Sequence, residues 1–136
     1  MRRPPVSLSL ALLALLTLAV CTYPADPYRI DLTKLERSYI TDEQAFVAWD
    51  RTQRLEIVRA RPADPPLAPH ESQVRVGRAA LVRCVAALRE GEDAVAAAER
   101  NAAPLDEARI KLDSAKVTCS ATRRALADLG VTGVAP

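Results

Sequence analysis

The second half of the chain carries a mirror pattern of small and large residues, which constrains the fold more than any other feature. Within residues 71–130, apolar or small residues recur at alternating intervals of three and four, as on one face of an α-helix. The first series is Val74, Gly77, Leu81, Cys84, Leu88, Gly91, Val95 and Ala98, and the second is Leu105, Ala108, Leu112, Ala115, Cys119, Thr122, Leu126 and Leu129. Residues that face each other in an antiparallel helix pair have position numbers with a constant sum, and a sum of 203 matches the two series member by member. The sequence therefore predicts a helical hairpin over residues 71–130 that turns near Asn101 and Ala102.

The matched residues are complementary in size, which allows two helices to approach closely. The pairs that show this are Gly77 with Leu126, Leu81 with Thr122, Leu88 with Ala115, Gly91 with Leu112, Val95 with Ala108, and Ala98 with Leu105. Glycine inside a helix costs about 1 kcal/mol relative to alanine, so we infer that close approach is the reason for both glycines. The same sum places Cys84 opposite Cys119 and predicts a disulfide bond between them. Two buried reduced cysteines are the alternative, for a chain that stays in the cytosol.

The first 21 residues have the layout of a secretory signal peptide. Arg2 and Arg3 precede a charge-free run from Val6 to Val20, and Cys21 follows directly. The run of 15 residues is shorter than the roughly 20 that a membrane-spanning helix needs. We therefore expect export, with a retained membrane anchor as the alternative. In an oxidising compartment, three cysteines cannot all pair with one another.

Cys21 accounts for the odd cysteine. The segment Leu18–Cys21 resembles the lipobox of bacterial lipoproteins, although Val20 stands where that pattern has Gly, Ala or Ser. The resemblance implies that Cys21 is acylated and becomes the first residue of a membrane-attached mature protein. Ordinary cleavage near Ala19 or Cys21 is the alternative. Both outcomes leave an even pair of cysteines in the folded domain.

The remaining segments differ in composition. Residues 22–28 are predicted to form a tether and residues 29–61 an N-terminal helical segment. Residues 62–70 contain four prolines and are predicted to be a linker, and residues 131–136 a flexible tail.

The N-terminal helical segment has its own apolar seam, which Asp42 interrupts once. The seam consists of Leu32, Leu35, Tyr39, Phe46 and Trp49. Thr41 followed by Gln44 fits a capping box, so a break into two helices near Ile40 is one interpretation. The predicted fold is all-α: a small antiparallel three-helix bundle, or a broken four-helix bundle, that contains a disulfide-linked helical hairpin.

Some apolar residues of the hairpin lie outside the matched faces and need a cover. They are Val85, Ile110, Val117 and Ala121. We expect the seam of the N-terminal segment to cover them. Self-association into a homo-oligomer is the alternative, because such stripes also pair in coiled coils.

The sequence offers no grouping of residues for catalysis, for a metal or for a cofactor. The only histidine, His70, lies at a helix entrance, and we expect it to be a solvent-facing loop residue. A tight metal site needs three or four ligands, and this sequence has one histidine and three cysteines that are already assigned to a disulfide bond and to acylation. The chain has 19 Lys and Arg against 17 Asp and Glu, and two of the arginines lie in the signal peptide. The mature domain is therefore balanced in charge, and nucleic-acid binding is not expected.

Charge is distributed unevenly along the predicted hairpin. Basic residues gather at its open end, namely Arg75, Arg78, Arg83, Lys116, Arg123 and Arg124. Acidic residues gather at its turn, namely Glu90, Glu92, Asp93, Glu99, Asp106 and Glu107. A basic end of this kind is suited to anionic lipid headgroups, a wall polymer or an acidic protein. The alternative is neutralisation by acidic residues of the first helix, namely Asp42, Glu43, Asp50 and Glu56.

These patterns favour a non-enzymatic exported protein of the cell envelope, in the periplasm or at the outer surface, attached to the membrane if Cys21 is acylated. We expect a helical module that binds another envelope protein or stabilises an assembly. The alternative is a small-ligand carrier or an enzyme whose site is dispersed between the helices. A deep pocket lined by Tyr39, Phe46 and Trp49 would favour that alternative, and a solid core would favour a binding module.

Overall fold

Three long helices make up most of the described chain. The computed structural model describes residues 26–60 and 67–135, in which α1 spans Asp26–Ala60, α2 spans Leu67–Glu99 and α3 spans Leu105–Asp128. The predicted signal peptide with Cys21, most of the tether and most of the linker lie outside these residues. The described chain is helical with no strand, and the predicted three-helix bundle is confirmed.

The hairpin of α2 and α3 has the predicted turn and the predicted disulfide bond. Cys84 and Cys119 are bonded, with their Cα atoms 4.7 Å apart, and both lie in the buried core. Asn101 lies two residues after the end of α2 and adopts a left-handed conformation with φ of 53°, which asparagine tolerates better than most residues. Thr122 of α3 donates a buried hydrogen bond to the carbonyl oxygen of Ala80 in α2 at 2.8 Å.

The two helical glycines differ in the space around them, and only one of them is required by a close neighbour. A Cβ atom at Gly91 would lie 3.7 Å from Leu32 of α1 and 4.0 Å from Leu112 and Ala115 of α3. These are ordinary contacts, so the close approach that we inferred for both glycines does not require a glycine at position 91. A Cβ atom at Gly77 would instead collide with the ring of Phe46, 2.8 Å from Cζ and closer still to Cε2. The glycine at position 77 is therefore required by Phe46 of α1. The predicted pairing with Leu126 of α3 does not explain why this residue is a glycine.

The first helix is continuous, so the interpretation of this segment as two helices that break near Ile40 is wrong. Thr41 does not cap a second helix, because its hydroxyl donates to the carbonyl oxygen of Arg37 one turn earlier at 3.1 Å. Thr33 makes the same bond to Arg29. The predicted seam does face the hairpin.

The seam of α1 leaves exposed most of the four hairpin residues that we expected it to cover. Val85 is half-buried, but Ile110 and Val117 on α3 remain 62% and 69% exposed. Ala121 is exposed as well, so the expectation that α1 covers Ile110, Val117 and Ala121 is wrong. Phe46 and Leu32 lie against Gly77 and Gly91 of α2, which places α1 away from the outer face of α3.

Ion pairs between the helices show the direction of α1. Arg29 binds the carboxylate of Glu99 through two parallel hydrogen bonds, of 3.0 Å from Nε and 2.6 Å from Nη2. The start of α1 therefore lies beside the turn of the hairpin, since Glu99 is the last residue of α2. Lys116 of α3 reaches Asp31 at 3.0 Å, which continues the same alignment. α1 thus runs antiparallel to α2 and parallel to α3.

The segment after α3 packs onto the bundle instead of extending as the predicted flexible tail. Gly130, with φ of 82°, turns the chain back, and Val131 is buried. The backbone N–H of Ala135 donates to Oδ1 of Asp42 at 2.8 Å, while Arg123 donates to Oδ2 at 3.2 Å. Asp42 is 1% exposed, so these bonds compensate a buried charge and explain a carboxylate on an apolar seam.

Candidate functional site

An apolar groove runs between α1 and α2, and we refer to it as the α1–α2 groove. Its section toward the hairpin turn has a volume of about 330 Å³ and is lined by Glu36, Tyr39, Ile40, Val85, Leu88, Arg89 and Glu92. Its section toward the open end has a volume of about 290 Å³ and is lined by Tyr39, Glu43, Phe46, Val47, Asp50, Arg78, Leu81 and Val82. Tyr39 lines both sections, so they adjoin at this residue.

The groove is open to solvent on its outer side. Val47 on α1 is 60% exposed and Val82 on α2 is 63% exposed, although both line the groove. Charged residues of both signs form its rims. Its floor is the outer surface of a closed core, in which Leu32, Leu112 and Leu126 are almost completely buried. The groove therefore offers an elongated apolar surface and not an enclosed cavity.

His70 lies at the open end of the groove and is not the solvent-facing loop residue that we expected. It belongs to the first turn of α2, is 4% exposed, and packs beside the ring of Trp49 with a centroid distance of 5.3 Å. Its Nε2 atom lies 2.7 Å from Oδ1 of Asp50, and Arg54 donates to the same oxygen from 2.9 Å. These three residues form a network that joins the end of α1 to the start of α2.

The pH dependence of stability should carry a contribution from Asp50. Burial acts to raise the pKa of Asp50, but hydrogen bonds from His70 and Arg54 outweigh it and lower the pKa below its usual range. A carboxyl group whose pKa is lowered by folding stabilises the fold above its unfolded pKa, and that stabilisation is lost as the pH falls through its folded pKa. We therefore expect acidification from pH 5 to pH 2.5 to destabilise the wild type more than Asp50→Asn.

Urea unfolding at the two pH values measures this difference. The asparagine keeps the shape of the side chain but cannot titrate, so it serves as the matched variant. Equal losses of unfolding free energy in the two proteins would show that the network contributes nothing to the pH dependence.

The six basic residues predicted at the open end do not form one patch. Lys116 and Arg123 turn toward α1, where they meet Asp31 and Asp42. Arg75 and Arg78 line a cleft of about 260 Å³ together with Arg54, Glu71 and Val74, and Arg78 also lines the α1–α2 groove. We refer to this cleft as the open-end cleft. Arg83 and Arg124 are exposed and line neither the α1–α2 groove nor the open-end cleft.

The described residues bear on whether the chain has a metal site, acid–base chemistry or a membrane-spanning helix. Within residues 26–60 and 67–135, no three His, Cys, Asp or Glu side chains are grouped closely enough to hold a metal ion. His70 and Asp50 form a hydrogen-bonded pair, and the Nδ1 atom of His70 has no hydrogen-bond partner in this part of the chain. Among the helices described, none has the length and apolar character required to cross a membrane.

The fold and the groove define the chain as a disulfide-linked three-helix bundle with an open apolar groove. No protein-family model matches the chain, and no curated protein and no solved structure matches it either.

Proposed function

We propose that this protein is a non-enzymatic exported protein of the cell envelope, which binds another envelope protein through the α1–α2 groove. The observation that carries the proposal is the exposure of Val47 and Val82 within an apolar groove between α1 and α2. Contiguous apolar surface with a polar rim is typical of a protein-binding site. An amphipathic helix of the partner would occupy the position of a fourth helix and bury these side chains.

Export is supported by the layout of the first 21 residues and by the disulfide bond. Disulfide bonds persist in oxidising compartments such as the periplasm and are rare in the cytosol. Acylation of Cys21 would attach the mature protein to a membrane. Mass spectrometry of the protein purified from its native cells tests both parts of this proposal. We expect a lipidated Cys21 at the N-terminus, and an intact Met1 with reduced Cys84 and Cys119 would refute export.

The shape of the groove favours a protein partner over a small ligand. Small-ligand sites enclose most of the ligand surface, whereas Val47 and Val82 leave the outer side of the groove open. Trp49, one of the three aromatic residues whose deep pocket would have favoured a ligand site, packs against Phe46 and His70 and does not line the groove. A partner helix can use the whole length of such a surface.

Photo-crosslinking in intact cells tests the binding proposal. A photoreactive amino acid is placed at Val47, at Val82 or, as a control, at Ala79, which is exposed on α2 but does not line the groove. We expect the two groove positions to crosslink to one and the same protein and Ala79 not to do so. The adduct at Val82 should disappear when Val47→Glu introduces a charge into the groove.

Two results would overturn the proposal. One is the absence of any protein adduct at both groove positions in cells that contain the folded protein. The other is the same set of adducts at all three positions, because that set would reflect random collisions.

A further inference from the structure

The outer face of α3 carries a stripe of exposed residues, which we call the outer stripe. Its members follow alternating intervals of three and four and are Glu107, Ile110, Ser114, Val117, Ala121 and Arg124. All six are exposed, and Ile110 and Val117 are among the most exposed large apolar residues of the described chain. The buried face of α3, from Ala108 to Leu126, is the one that meets α1 and α2. Neither helix covers the outer stripe in the part of the chain that the structure describes.

The outer stripe is complementary to itself when a second copy runs in the opposite direction. Position numbers that add up to 231 place Ile110 opposite Ala121 of the second copy and Ser114 opposite Val117. Each large apolar residue thus meets a small one, as in the hairpin within the chain. The same sum places Glu107 opposite Arg124, and neither makes an ion pair within residues 26–60 and 67–135.

We propose that two copies of this chain form a symmetric dimer through antiparallel pairing of their α3 helices. The two-fold axis passes between positions 115 and 116, so every contact occurs twice. Ser114 and Ala121 let the helices approach to about 8 to 9 Å, near the lower end of the range for packed helices. Burial of Ile110 and Val117 supplies the attraction.

The charged ends of the outer stripe select the direction of pairing. In the antiparallel arrangement Glu107 meets Arg124 at both ends, whereas a parallel pair in register would place like charges opposite each other. Exposed ion pairs contribute little to affinity, but like-charge contacts disfavour the wrong arrangement. The dimer leaves the α1–α2 groove accessible, because the groove and the outer stripe lie on different helices. The proposal therefore does not depend on the proposed function.

Sedimentation equilibrium of the mature protein over a range of concentrations tests the proposal through a charge swap. We expect a reversible monomer–dimer equilibrium, and Glu107→Arg or Arg124→Glu alone should raise its dissociation constant at least threefold. The double variant E107R/R124E should return the constant to within twofold of the wild type. Arg83→Glu is the matched control, since it changes the charge equally at an exposed site outside the stripe, and it should have no effect.

The double variant also controls for damage to α3 itself. Glu107→Arg places a positive charge near the N-terminus of α3, and Arg124→Glu places a negative charge toward its C-terminus. Both changes are unfavourable for the helix dipole, and the double variant contains both of them. Restored dimerisation in the double variant can therefore only come from contacts between two copies. A wild type that stays monomeric up to 1 mM, a double variant that stays as weak as the singles, or an equal loss in Arg83→Glu would each overturn the proposal.

Distances between spin labels provide a second measurement that does not depend on affinity changes. Labels introduced as an unnatural amino acid at Ser114 lie close to the two-fold axis, and we expect a separation below about 20 Å between copies. Ala127 lies opposite position 104 of the second copy, which is 23 positions from that copy's own Ala127. We therefore expect the two labels at Ala127 to be about 35 Å apart along the helix axis. Short distances at both positions would indicate parallel pairing and refute the proposed dimer.

Discussion

The double variant Cys84→Ala/Cys119→Ala is expected to lose about 4 kcal/mol of unfolding free energy. The disulfide bond joins residues 35 positions apart, so it removes much of the chain entropy of the unfolded state. Its sulfur atoms also lie in the core beside Leu32, Leu88 and Leu112. Small domains have only about 5 to 15 kcal/mol in total, so the loss is a large share of their stability. Urea unfolding followed by circular dichroism measures it.

Reduction of the wild-type protein separates the two sources of this loss. Reduced wild type keeps both sulfur atoms in the core and lacks only the covalent bond. We expect reduction to reproduce most of the loss, because the bond acts mainly on the unfolded state. A loss below about 1 kcal/mol in both experiments would contradict the central role of the disulfide, given the usual range for such bonds.

Alanine substitutions at the two helical glycines are expected to change stability in opposite directions. Gly91→Ala should stabilise the protein by up to about 1 kcal/mol, since alanine favours the helix and its Cβ atom would meet only ordinary contacts. Gly77→Ala should destabilise it by about 1 to 3 kcal/mol, because the new Cβ atom collides with the buried ring of Phe46. Thermal and urea unfolding of the two variants give both values.

A double-mutant cycle with Phe46→Ala isolates the cause of the Gly77 effect. In the absence of the ring, Gly77→Ala should stabilise the protein as Gly91→Ala does. The coupling between positions 46 and 77 should therefore be large, and that between positions 46 and 91 close to zero. Destabilisation by Gly77→Ala of equal size in both backgrounds would mean that Phe46 is not the obstacle.

The hairpin could be predicted from the sequence because two simple periodicities determine it. The helical repeat selects the residues that face the partner, and an antiparallel pair converts sequence position into spatial register. Only one register of the two helices places Cys84 opposite Cys119 and the turn at Asn101. The register of α1 lacks such a rule, since a linker of several prolines separates it from α2. The role of Phe46 beside Gly77 could therefore not be deduced.

The candidate site was less accessible to prediction, because its residues come from distant positions. His70 and Asp50 lie 20 positions apart on different helices, and nothing in their local sequence marks them as partners. Asp42 was visible as a polar residue on an apolar seam, which is the usual sign of a buried charge with a partner. The partner at Ala135 is a backbone N–H, and a backbone group leaves no signature in the sequence.

The paired Arg29 and Glu99 have a consequence for how the protein would sit on a bilayer. Cys21 precedes Asp26 by five positions, a reach of at most about 18 Å, whereas α1 is about 52 Å long. An acylated Cys21 is therefore confined to the neighbourhood of the hairpin turn. In the antiparallel dimer the two turns lie at opposite extremities, so the assembly would rest flat, held down at each extremity. Each open-end cleft would then lie at the same extremity as the anchored turn of the neighbouring copy.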